Sequence, residues 1–205
     1  HFNYNNVNVK ETEQLKQQLQ IPGDKKVISY LGSVGGWYMT KEMFQFVKCL
    51  LEQDPDFVML VLTKDEKESV RAEALQQGIP PDKIVITTAS REKMPLYISL
   101  SDCSIFFIRP TYSKKASSPT KHAELMGMGV PVVCNDIGDT GRIIEETRTG
   151  IVIKEFSEVE YRIRAKKIDE VMRISKDQIR QAAYRYFDLD AGVGKYLQIN
   201  KRVLM

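Results

Sequence analysis

Alternation is the feature that most limits what this chain can become. Short apolar runs at Val27–Leu31, Phe57–Thr63, Ile84–Thr87, Cys103–Ile108, Pro131–Cys134 and Gly150–Ile153 are separated by segments with helical spacing. Those segments lie near Thr40–Glu52, Lys67–Gln77, Arg91–Leu100, Pro119–Met128 and Asp139–Thr147. Several of the runs are almost wholly apolar, as strands covered by helices on both faces must be. Repeated strand–helix alternation predicts a parallel sheet with right-handed crossovers.

The expected fold is therefore a Rossmann-like α/β domain of about six strands, with helices on both faces. The ends depart from the alternation. Lys10–Gln20 reads as a helix closed by the turn Ile21-Pro22-Gly23-Asp24, so residues 1–23 are expected to form a linker and an entering helix. After Ile153, the segments Ser157–Glu170, Ser175–Phe187 and Gly194–Leu204 predict a helical C-terminal tail, with residues 24–205 forming one domain.

Composition narrows the function classes. The 205 residues are 42% hydrophobic and 28% charged, and a chain of this size buries about 70% of its unfolded surface without disulfides or metal. Thirty basic against twenty-seven acidic residues leave +3, too little for a nucleic-acid face. No apolar run approaches a membrane span, and the polar start HFNYNN is no signal peptide. Cys49, Cys103 and Cys134 lack zinc-type spacing and read as buried reduced thiols, which points to the cytoplasm. The cluster Arg162, Arg164, Lys166 and Lys167 reads as a solvated helix face, leaving room only for peripheral contact at the inner membrane face.

In an open parallel sheet, ligands bind outside the carboxyl ends of the strands. The loop Gly32-Ser33-Val34-Gly35-Gly36 after the first run suits close backbone approach to a phosphate, and it equally suits a plain turn. The loop after the fourth run carries Arg109, Lys114 and Lys115. Ser118-Pro119-Thr120-Lys121 then opens a helix, with Ser118 expected as N-cap, and such a terminus suits an anion.

Helix phase is expected to turn Ala123, Met126, Gly127 and Val130 to the sheet and Glu124 to the cleft mouth. Glu124 either accepts two hydroxyl hydrogen bonds there or pairs with Lys121. Thr88 and Ala89 form a small polar loop fit for a flat base, with Ser90 expected to cap the next helix. Asn135–Gly141 reads as a turn and helix cap, His122 as non-catalytic, and no metal site is expected.

The stretch Ser118-Pro119-Thr120-Lys121-His122-Ala123-Glu124-Leu125-Met126-Gly127-Met128-Gly129-Val130-Pro131-Val132-Val133 resembles the donor-site helix and following strand of family 4 glycosyltransferases, P-x-K-x-x-E-x-x-x-x-G-x-P-V-V. Ser29-Tyr30-Leu31-Gly32-Ser33 resembles their first strand and glycine loop, and Gly138–Gly150 their G-x-x-E-I-I stretch. The resemblance implies the donor-binding half of a two-domain GT-B enzyme whose N-terminal acceptor domain is absent. It implies transfer of a sugar from a nucleotide-diphosphate sugar with retention at the anomeric carbon, with no metal or other cofactor.

On that resemblance Glu124 would hold the ribose and Thr88-Ala89 the base. Gly32, Ser33 and Ser118–Lys121 would face the diphosphate and sugar. Three positions depart from the family pattern: Ala116 replaces the first of two paired glutamates, Ser33 an arginine and Tyr38 a lysine. Diphosphate charge is left to Lys41, Arg109, Lys114, Lys115, Lys121 or the helix terminus. Two alternatives share the fold, a non-catalytic nucleotide-sugar module and a sugar-nucleotide epimerase.

Overall fold

Six strands pair throughout in parallel in the order β3-β2-β1-β4-β5-β6. They are β1 (Lys26–Leu31), β2 (Phe57–Leu62), β3 (Ile84–Thr87), β4 (Cys103–Phe106), β5 (Val132–Asn135) and β6 (Gly150–Ile153). The structure is a computed structural model that describes residues 1–203. All six β2 residues are buried, which explains their unbroken apolar sequence, and β1 is buried from Val27 onward, where Ser29 is the polar exception and accepts from the Ser101 hydroxyl. Edge strand β3 alternates buried and half-buried positions instead.

Helices α2 (Thr40–Gln53) and α3 (Lys67–Gln76) form the crossovers on one side of β1 in the strand order. Helices α4 (Met94–Ile98), α5 (Thr120–Gly127) and α6 (Thr140–Thr147) form the later crossovers. The strand order runs outward from β1 in opposite directions for the two sets. Right-handed crossovers therefore place the two sets on opposite sheet faces. The entering helix α1 (Val9–Gln18) packs on α4, and the tail helices α7 (Glu158–Ala165) and α9 (Lys176–Phe187) pack on α2 and α5.

The expected sheet and five crossover helices are all present, with shifts of one or two residues at several ends and larger changes in three helical segments. The Arg91–Leu100 helix shrinks to α4, because residues 91–93 form a turn in which the Ser90 carbonyl accepts from Lys93 and Met94. Lys93, not Ser90, occupies its N-cap position. The Ser157–Glu170 helix divides into α7 and α8 (Ile168–Met172), with Lys166 and Lys167 at the junction. The last helix, α10 (Leu189–Val203), starts before Gly192 and Gly194, because the Asp188 carboxylate accepts from Ala191 N–H at 2.7 Å and nucleates its first turn. Leu204, the expected end of that helix, lies outside the described residues.

The α5 phase also differs from expectation. His122, Leu125 and Met126 are its buried residues, whereas Ala123 and Gly127 are half-buried. Leu125 and Met128 join the sheet core, while Met126 packs with Ile143, Ile179 and Ala183 beneath α9. A helix covered on two sides has two apolar faces, so the stripe of small residues marks neither. Gly127 instead lies under the N-terminal segment, where an added Cβ would stand 3.1 Å from the Phe2 carbonyl oxygen.

Candidate functional site

The strand order reverses between β1 and β4, and beyond their carboxyl ends lies a cavity of about 460 Å³. Its floor is Leu31 and Gly32; Trp37, Tyr38 and Ile108 form one wall; Lys114, Ser118, Lys121 and Glu124 form the other. The glycine loop is held from two directions. Asp65 accepts from Val34 N–H at 2.5 Å and from the Thr63 hydroxyl at 2.9 Å. Past β4, Met39 N–H donates to the Phe107 carbonyl and Arg109 N–H to the Trp37 carbonyl, so the loop returns antiparallel along the extension of β4. Gly32 has φ +128°, a conformation that L side chains rarely adopt.

The opposite wall is the 3₁₀ turn Tyr112–Ala116 leading into α5. It is seated by Gly138, whose φ is +63° and whose missing Cβ makes room for the Ser117 carbonyl. Ser118 does not cap α5. Pro119 occupies the N-cap position; among the described residues no side chain caps the first turn, where His122 N–H bonds to the Pro119 carbonyl and the Ser118 hydroxyl is exposed beside the cavity. Asn135 fixes the neighbouring backbone: its side-chain oxygen accepts from Ile108 N–H at 2.8 Å and its amide donates to the Ile108 carbonyl at 2.9 Å.

Lys121 and Glu124 both face the cavity, but they do not pair. The Lys121 ammonium crosses to β1, donates to the Leu31 carbonyl, and lies 3.5 Å from the Tyr38 ring centroid and 4.7 Å from that of Tyr30. Burial pushes it down to about 7, against a smaller opposing pull from Glu124. Glu124 pairs with Arg91 at 2.5 Å; the carboxylate side chain is 12% exposed and the arginine 63%. Arg91 also lies over the Phe2 ring at 4.6 Å. Arg91 is not among the residues expected at the site, because its segment has helical spacing; its place directly after the β3 loop is the signal that points to it.

Among the remaining candidates, Lys114 lines the cavity, 4.7 Å from the Trp37 ring centroid. Lys41, on α2, and Arg109 and Lys115, beside the 3₁₀ turn and within it, are exposed and do not line it. Thr88, Ala89, Gly32 and Ser33 line a separate hollow of about 200 Å³ that shares Gly32 and Met94 with the main cavity. Ala116 is exposed on its turn, and Ser33 offers its carbonyl to Tyr30 at 2.5 Å. His122 is fully buried between Phe106 and Phe187, with neither ring nitrogen hydrogen-bonded among the described residues, and does not line the cavity.

Among the described residues, no three His, Cys, Asp or Glu side chains gather as a metal site, and no helix is long and apolar enough to cross a membrane. The three cysteines are free and buried. In the basic cluster, Arg162 pairs with Glu52 and Glu158, and Arg164 with Glu160.

Known proteins supply the comparison. A glycosyltransferase from Rickettsia africae superposes with TM-score 0.78 at 18% identity, covering 99% of this chain and 54% of that one. Anabaena HepE, solved with UDP and glucose, superposes with TM-score 0.70 at 15% identity, covering 96% of this chain and 52% of that one. The C-terminal domain of LpcC, a glycosyl transferase group 1 family protein from Francisella tularensis, superposes with TM-score 0.65 at 15% identity, covering 89% and 96%. This chain thus spans about half of the longer proteins and nearly all of an isolated C-terminal domain. At these identities the likeness shows the fold. No curated protein matches the sequence. The family model for glycosyl transferases group 1 matches residues 11–186, from the entering helix through α9, and the chain belongs to that family.

Proposed function

We propose that this chain is the donor-binding domain of a glycosyltransferase that moves a sugar from a nucleotide-diphosphate sugar to an acceptor, with retention at the anomeric carbon. The observation that carries the reading is the cavity at the β1/β4 switch point, with a carboxylate at one end and a buried ammonium at the other. A ribose donates two hydroxyl hydrogen bonds and a diphosphate accepts many, so the two ends have complementary chemistry.

In this reading Glu124 receives the ribose, and the hollow beside Thr88 and Ala89 receives the base. Gly32, Ser118, Pro119, Thr120 and Lys121 face the diphosphate and sugar, and the N-terminus of α5 adds to the charge compensation. Lys114 and Arg91 are further cations lining the cavity, Arg91 being paired with Glu124, and no metal or other cofactor is invoked. The acceptor would sit on a second domain across the cleft, as the half-length coverage of the relatives suggests. Transfer needs both reactants held in one geometry, so this chain alone is expected to bind a donor without transferring its sugar.

A second reading has its own observation. Ala116 puts no carboxylate where the family resemblance expects the first glutamate, which favours a module that binds nucleotide sugar without turnover. Calorimetric titration with UDP, GDP and ADP tests donor binding, and absence of binding by all three refutes it. Sugar transfer by the chain joined to a second domain separates enzyme from binding module.

A further inference from the structure

We infer that Lys121 is the cation that meets the donor diphosphate in place of the loop cations absent at Ser33 and Tyr38, and that it takes up a proton as the diphosphate enters. The inference rests on the donor-site reading and assigns the residue that sets its charge balance.

Three observations place Lys121 in that role. Its side chain leaves the first turn of α5 and ends over the C-terminus of β1, so one residue spans the cavity from wall to floor. Gly32 is shaped to it: a Cβ there would stand 2.6 Å from the ammonium nitrogen. And the ammonium rests on the Tyr38 ring, the residue that replaces the expected loop lysine, so a positive charge is supplied beside that position from another element.

The surroundings hold this charge loosely. From β1 and the loop it faces Tyr30 and Tyr38, both pushed upward by burial and therefore neutral. Asp65 is engaged by Val34 and Thr63, Lys114 lies over Trp37, and Glu124 is tied to Arg91. Among the described residues, no carboxylate bonds to Lys121. An ammonium has three donors, and the Leu31 carbonyl accepts one, so others remain for phosphate oxygens. With its charge only partly present in the empty site, the amine binds one proton when a diphosphate supplies the missing counter-charge.

The test is calorimetric titration of the full chain with UDP, GDP and ADP at about pH 8, in buffers of different ionisation enthalpy. At that pH a phosphate's second ionisation, near about 6, is complete, so the nucleotide contributes little proton exchange. The expected result is uptake of close to one proton per nucleotide bound. Lys121→Met should abolish the uptake and weaken binding tenfold or more. Lys121→Arg, always charged, should abolish the uptake and restore most of the affinity. Carbon-13 NMR of the wild-type Lys121 side chain gives a reading that needs no variant: its midpoint should lie near neutral when free and rise with bound nucleotide. Binding without proton uptake, uptake persisting in Lys121→Met, or an ordinary lysine midpoint in the free protein overturns this inference while leaving the donor site standing. Failure of all three nucleotides to bind overturns both.

Discussion

Gly138→Ala tests whether the wall of the cavity is held as described. Gly138 sits at φ +63°, and an added Cβ would collide with the Ser117 carbonyl oxygen and stand 3.3 Å from its carbon and 3.4 Å from the Lys115 carbonyl. Left-handed backbone at a non-glycine residue costs about 1–2 kcal/mol. Forcing backbone atoms apart costs about 1–3 kcal/mol more. The sum, about 2–5 kcal/mol, corresponds to a fall in Tm of roughly 4–20 °C for a domain of this size. Gly35→Ala isolates the first contribution, since its φ is +78° but nothing lies within 4 Å, and it should lose only about 1–2 kcal/mol. Gly23→Ala, with neither a positive φ nor a neighbour within 4 Å, should stay within about 0.5 kcal/mol of wild type. Urea denaturation of the three variants gives the comparison. If Gly138→Ala is no less stable than Gly35→Ala, the Ser117 carbonyl is not packed on Gly138 and the seating of the turn is wrong. Because that turn carries Lys114 and leads to Ser118, nucleotide binding should also weaken in Gly138→Ala at temperatures where it remains folded.

Glu124→Gln should leave stability within about 1 kcal/mol, because its Arg91 partner is largely in solvent. The same change should weaken UDP binding about tenfold to a hundredfold, the worth of a charged acceptor; equal affinities in calorimetry would remove Glu124 from the site. Arg91→Ala frees that carboxylate, so affinity should hold or rise, and a tenfold loss would show that Arg91 itself grips the nucleotide. Burial of His122 pushes its ring down to about 4, below the ordinary histidine range near about 6.5. The unfolded chain therefore binds the extra proton first: this stability, up to about 3 kcal/mol, is full above pH ~6.5 and is lost as pH falls toward ~4. His122→Leu should flatten that part of the profile in urea titrations, and an unchanged slope would refute the assignment. Finally, radiolabelled nucleotide sugars incubated with this chain alone should yield no transferred sugar; turnover by the pure chain would mean that the acceptor site lies on it.

The sheet was legible because burial on both faces leaves its mark residue by residue. Phe57–Leu62 admits no polar side chain, and six mainly apolar runs spaced by helical segments allow few arrangements other than a parallel sheet. Glu124, Lys121 and the glycine loop were legible as candidates because the rule for parallel sheets sends ligands to the strand ends. Their partners were not legible, because partnership is set by distance in space. Lys121 and Glu124 are three apart on one helix, yet Lys121 bonds to a carbonyl 90 residues back in the chain and Glu124 to an arginine 33 residues back. The capping of α5 and its sheet-facing side were also decided by tertiary structure. Pro119 and not Ser118 stands at the N-cap, and α9 covers a second flank that periodicity along one helix cannot foresee. The sequence thus determined which groups reach the strand ends; only the packing of β1, α5 and the β3 loop decided that a lysine there is buried on two tyrosines and a glutamate is held by an arginine.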